Sequence, residues 1–257
     1  MGVRPQESAI VDNMDNLEPW YRLGLITPHQ FVDNVPYQFY RLAPPGMMLV
    51  TANLDLADYT VEAVDHELAL LWRHAERLTK RGVDRIVIGG VPVGAALGRE
   101  RVQAILAEGE KRTGIPFSTD MENIISALNY LGVTKLAIGS RWHKGLNDAV
   151  AAYLKLGGVE VIGRKASARS LAENETLKTS DGMRLAVDLG RAALEAAPDA
   201  EALLLPGGLW VTIHAIPLLE AEFGKPVLIN LSATIWATLR AAGLSKPVQG
   251  WGRLLAS

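Results

Sequence analysis

The sequence predicts an α/β fold of mostly parallel sheets with helices outside, on three observations. Short apolar runs alternate with amphipathic stretches along the chain. Two of those runs, in "GVDRIVIGGVPVGAALG" and "DAEALLLPGGLWVTIHAI", end in a Gly/Pro turn that leads into a helical pattern. Finally, "GIPFSTDMENIISALNYLG" is echoed by "GKPVLINLSATIWATLRAAG" at an offset of 110, which sets Gly114, Pro116 and Ala127 on Gly224, Pro226 and Ala237. The echo reads either as two related halves whose turns face each other across a cleft, or as the likeness that any two α/β units share.

Expected strands, in order, are Arg22–Ile26, Met47–Thr51, Arg85–Ile88, Pro116–Ser118, Lys135–Ile138, Val159–Ile162, Ala202–Leu205 and Pro226–Ile229. Val61, Val64, Leu68, Leu71, Ala75 and Leu78 recur at helical spacing and predict a helix over 60–81. "TDME" at Thr119–Glu122 has the capping-box pattern and opens a helix to about Leu131. "GLNDAVAAYLKLGG" ends another helix at Gly157, and Ser232 reads as the N-cap of a helix running to Ala242. In sheets of this kind a ligand sits beyond the carboxyl ends of the strands.

With 257 residues, 49% of them hydrophobic and 21% charged, the chain suits one large or two small soluble domains. A net charge of −2 offers no basic footprint for nucleic acid. No apolar run is long enough for a membrane span, and the polar opening "MGVRPQESAIVDNMDN" has no signal-peptide core, so a cytoplasmic location is expected. The sequence holds no cysteine, which excludes disulfides, thiolate metal sites and thiol catalysis together. Neither metal-ligand spacing nor the G-x-G-x-x-G order occurs, so no metal and no nucleotide cofactor is expected.

These features together resemble the aspartate/glutamate racemase superfamily, and within it the arylmalonate decarboxylases and maleate isomerases, over roughly residues 20–257 and most specifically from about Gly82 onward. "LLLPGGLW…AIPLLEAEFGKPVLINLSATIWATLRAAGL" is similar to the decarboxylase's Cys–Gly–Gly turn and the units after it, and "GWGRLLAS" to its "YGRLF" ending. The resemblance implies two Rossmann-like halves related by a pseudo-twofold axis, with one cofactor-free active site in the cleft between them. It divides the chain into an N-terminal extension (1–19), a first half (20–115 with 230–257) and a second half (116–229). In the family the chemistry sits in two facing turns. Here "GGVPVG" puts Val91 and Pro92 where the decarboxylase has hydroxyls. Pro206 stands where it has cysteine, and Trp142 where a tyrosine helps to hold the substrate carboxylate. Fold transfers on such a likeness; mechanism does not.

What remains for chemistry lies in the loops. Gly90 to Val93 with Gly94, and Gly207 with Gly208, can offer backbone N–H groups to an anion at helix starts, or else are turns that merely need glycine. "SRWHKG" gathers Arg141, His143 and Lys144, suited to hold a carboxylate and to move a proton, unless the loop is simply solvated. His29, after the first strand, is a second acid/base candidate or a surface histidine, and Asn230 can hydrogen-bond a substrate. The function expected is a cofactor-independent lyase or isomerase on a small carboxylate or dicarboxylate. It would use a backbone cradle, with histidine, His29 or His143, replacing cysteine. The alternatives are a non-catalytic carboxylate-binding protein, or a hydrolase or C–C lyase with a histidine-activated water. Exposed Trp and Tyr leave either a monomer or a homo-oligomer open.

Overall fold

The computed structural model describes residues 19–29, 31, 33–56, 59–244 and 246–257; the N-terminal extension up to residue 18 lies outside them. Among the described residues eight strands form two four-stranded sheets. The first holds β1 (Tyr21–Thr27), β2 (Met47–Asn53), β3 (Arg85–Ile88) and β4 (Phe117–Thr119) in the order β2-β1-β3-β4. The second holds β5 (Lys135–Ser140), β6 (Glu160–Ala166), β7 (Ala202–Leu204) and β8 (Val227–Leu228) in the order β6-β5-β7-β8. All neighbours pair in parallel. Position for position the two orders are the same, so the internal echo corresponds to a repeated topology. Each of the eight expected strands is present. β4 is bonded to β3 and so belongs to the first sheet, on the other side of the division expected at residue 115.

The strands alternate with α1 (Asn34–Leu42), α2 (Val61–Lys80), α3 (Val91–Leu97), α4 (Arg99–Thr113), α5 (Asp120–Tyr130), α6 (Lys144–Leu156), α7 (Leu171–Glu175), α8 (Thr179–Ala196), α9 (Ala215–Phe223), α10 (Asn230–Ala241) and α11 (Arg253–Ala256). None is long and apolar enough to cross a membrane. α2 forms as its apolar spacing requires, with Val64, Leu71, Ala75 and Leu78 buried. The expected capping box at α5 is only half made. Thr119 Oγ1 accepts from Glu122 N at 3.2 Å, but the Glu122 carboxylate turns to Arg99 at 2.9 Å and Tyr153 Oη at 2.8 Å. At α10 the helix starts two residues before the expected cap. Ser232 is inside it and bonds back to Ile229 N at 3.1 Å.

α5 and α10 are the echoed helices, and they pack on each other, which brings the helix after β8 against the helix after β4. α10 is buried almost throughout, and α5 is buried except around Glu122, Ser126, Asn129 and Tyr130. Ile124, Leu128, Ile235 and Leu239 of the two helices are buried in one core cluster, and a polar pair joins the helices, Asn123 Nδ2 to Thr234 Oγ1 at 3.1 Å. Each buried aliphatic side chain contributes roughly 1.5–3 kcal/mol. One hydrogen bond nets about 1 kcal/mol. Apolar burial therefore holds the seam, and the polar pair fixes its register.

Candidate functional site

One pocket lies at the carboxyl ends of the strands, and the segment following each of the eight strands supplies a residue to it. They are His29, Tyr59, Gly90, Asp120, Arg141, Asn174, Gly207 and Asn230, in the order β1 to β8. Leu23, Leu25, Leu49, Val35, Leu209 and Leu231 add an apolar wall. Two parallel sheets whose carboxyl ends converge put loop residues from both into one cleft.

Two glycines bring the turns together. Gly90 has φ 99°, and a Cβ there would lie 2.9 Å from Pro28 Cγ. Gly207 has φ 120°, and its Cβ would meet Trp210 Nε1 at 3.3 Å and Arg141 Nη2 at 3.6 Å. An L side chain is disfavoured at both. Of the backbone donors expected to cradle an anion, three are already engaged: Gly90 N–H donates to Asp120 Oδ2 at 2.9 Å, Gly207 N–H to Asn230 Oδ1 at 3.1 Å, and Gly94 N–H to Gly90 O at 3.2 Å.

Nor does the second turn open a helix. Residues 206–214 are irregular and α9 starts at Ala215. The cause is Gln38, a buried side chain of α1 that sequence reasoning missed. Its Oε1 accepts from Thr212 N at 2.8 Å and Ile213 N at 3.2 Å, and its Nε2 donates to Trp210 O at 3.0 Å. Those contacts satisfy backbone groups that a helix would otherwise pair.

Arg141 is the pocket's cation. It is 2% exposed, yet its Nε has no partner. Nη1 makes only a long 3.5 Å contact with Leu209 O, and the guanidinium lies 4.7 Å from the Trp210 ring centroid. No carboxylate pairs with it among the described residues. Burial lowers its pKa to about 10, which still leaves it charged at neutral pH. His29 Nε2 lies 3.3 Å from Tyr59 Oη, with the rings edge-on. Burial first, and Arg141 second, push the His29 pKa down to about 4, so its imidazole is neutral at pH 7. Burial raises the Tyr59 pKa well above its ordinary value.

Of the other expected residues, Val91, Pro92, Trp142 and Gly208 also line the pocket. Val93 does not; it packs with Leu54, Leu71 and Ile88 on the far side of the turn. Pro206 is buried beside the site, its carbonyl accepting from Trp210 Nε1 at 3.1 Å. His143 and Lys144 are exposed, because the chain enters α6 there. His143 caps that helix, its Nδ1 accepting from Leu146 N at 3.3 Å, and Lys144 pairs with Asp148 at 2.6 Å. The acid/base and anion-holding roles expected of these two thus have no geometry here, and of the pair of histidines only His29 reaches the pocket.

Sequence reasoning also missed Tyr59, Asp120, Asn174 and Thr234. Asn174 is buried with Oδ1 unpaired. Asp120 is 4% exposed and accepts from Gly90 N, from Asn230 Nδ2 at 3.0 Å and from Thr234 Oγ1 at 3.1 Å. A signal for it existed: the 110-residue offset that pairs Gly114 with Gly224 also pairs Asp120 with Asn230.

Two parallel sheets of one strand order, with a cleft at their carboxyl ends, define an α/β protein of a fold that solved structures share. Unliganded arylmalonate decarboxylase superposes with a TM-score of 0.80 at 28% identity, covering 92% of this chain and 99% of that one. The maleate isomerase of Pseudomonas putida S16 gives 0.77 at 20% identity over 92% and 98% of the two chains, a likeness of fold. In sequence, the arylmalonate decarboxylase of Bordetella bronchiseptica is 31% identical over 235 residues, 90% of this chain and 95% of that protein. The arylmalonate decarboxylase family model matches residues 23–255. The chain belongs to the arylmalonate decarboxylase family.

Proposed function

We propose that this protein is a cofactor-independent, decarboxylase-type enzyme that binds a small carboxylate on Arg141 and moves a proton without cysteine. The observation behind this is a buried guanidinium facing a pocket with its Nε unpaired. A buried charge without a counter-ion is costly, and a bidentate carboxylate relieves that cost. The apolar wall opposite suits an aryl or alkyl group on the same molecule. The name of the 31% identical relative makes arylmalonates the first substrates to try. A cytoplasmic location fits this reading.

His29 enters this mechanism as a neutral group. With a pKa near 4 it accepts a proton or a hydrogen bond at pH 7 and does not supply a proton. Through Tyr59 Oη it orients the pocket wall. A second reading, a carboxylate-binding protein without turnover, is favoured by the absence of any cysteine. Incubating the protein with phenylmalonate and following CO2 release separates the two. Release above the uncatalysed rate supports the enzyme. A ligand-induced rise in Tm without release supports the binder.

A further inference from the structure

Asp120 is the buried carboxyl of the pocket, and its hydrogen bonds can be assigned one by one. Gly207 N–H can only donate, so the Asn230 atom it meets is Oδ1 and the atom facing Asp120 is Nδ2. Gly90 N–H can only donate as well. Asp120 Oδ2 thus takes two fixed donors. Oδ1 takes the Thr234 hydroxyl, which itself accepts from Asn123 Nδ2. A proton on this carboxyl therefore resides on Oδ1, beside the hydroxyl of Thr234, a residue that lines the pocket as Asp120 does.

We propose that Asp120 is the acid–base residue of this site, with the exchanged proton on Oδ1. The proposal rests on the decarboxylase-type reading above. The other titratable groups lining the pocket are unsuited to donating: His29 is neutral, Tyr59 holds its proton, Arg141 is a cation, and Asp33 is an exposed residue bonded to Asn34 N at 2.7 Å. Burial raises the Asp120 pKa against the pull of its three donors, which favours the protonated form. In the step, the C–C bond to one carboxylate breaks, CO2 leaves, and the electron pair stays on the α-carbon. That carbon takes the proton from Asp120 Oδ1. The Asp120 carboxylate left behind is reprotonated by water.

Infrared difference spectroscopy of the wild-type protein, with and without phenylmalonate, tests this together with turnover of Asp120→Asn. A protonated-carboxyl C=O band is expected at pH 7. It should shift when phenylmalonate binds, move in Thr234→Val and vanish in Asp120→Asn. Asp120→Asn should lower kcat at least ~100-fold with KM within about threefold of wild type. Absence of the band, a band that ignores the ligand, or an Asp120→Asn enzyme of full kcat overturns the proposal. Should Asp120→Asn not fold, the wild-type and Thr234→Val spectra decide it. A wild-type protein that binds phenylmalonate without releasing CO2 defeats the decarboxylase reading. The proton assignment is then judged by the ligand-induced band shift alone.

Discussion

Asp120 and Asn230, 110 residues apart, join the two turns of the site: Asn230 Nδ2 donates to Asp120 Oδ2 at 3.0 Å. Each also holds the N–H of the glycine turn on its own sheet, Gly90 for Asp120 and Gly207 for Asn230. The echoed sequence segments therefore meet at their equivalent residues, and one of the two is an acid.

Asn230→Asp places two carboxyls in contact, and such a pair keeps a proton because both cannot ionise. A carboxyl whose folded pKa is raised binds more protons folded than unfolded, so stability falls as pH rises above the unfolded value near 4. Asp120 is already shifted in that direction by burial. Urea midpoints measured from about pH 5 to 8 should fall more steeply in Asn230→Asp than in wild type. Parallel curves would contradict the shared-proton contact.

His29 gives the opposite slope at lower pH. Its folded pKa of about 4 lies below the model-compound value of 6.5, so the unfolded chain binds the extra proton. Stability should be full above about pH 6.5 and decline toward pH 4, by at most ~3 kcal/mol. His29→Phe should flatten that limb in a urea titration. A wild-type curve with no loss between these pH values would count against burial of a neutral imidazole.

His143→Ala should cost only the cap of α6, about 1 kcal/mol in Tm-derived stability. Phenylmalonate affinity, read by calorimetry, should not change. A loss of affinity of tenfold or more would return His143 to the site.

Gln38→Leu should destabilise by about 3 kcal/mol, since Trp210 O, Thr212 N and Ile213 N all lose a buried partner. Hydrogen exchange should rise first in residues 206–214. Uniform exchange across the chain would show that Gln38 does not pin that segment.

The fold was legible in the sequence because strands buried on both faces read as short apolar runs, and all eight could be found that way. The glycine turns were legible too, since a chain that turns tightly over Pro28 or Arg141 needs a residue without Cβ. The use of those turns was not. Gly90 and Gly207 have free N–H groups only until Asp120 and Asn230 arrive from the end of the next strand, 30 and 23 residues further on. His143 and Arg141 looked alike as members of one basic cluster, yet two residues of chain direction separate a buried cation from an exposed cap. Gln38 carried no local signal, because its partners lie more than 170 positions away.

The account turns on Arg141 as an unpaired cation awaiting a carboxylate. Titrating phenylmalonate into wild type and Arg141→Met by calorimetry tests this most directly, with Tm measured on both ligand-free proteins. Removing a buried charge that has no partner should leave Tm unchanged or higher. Losing two charge-assisted hydrogen bonds should weaken binding at least ~100-fold. Equal affinity in the two proteins, or an Arg141→Met protein that is markedly less stable without ligand, would contradict it.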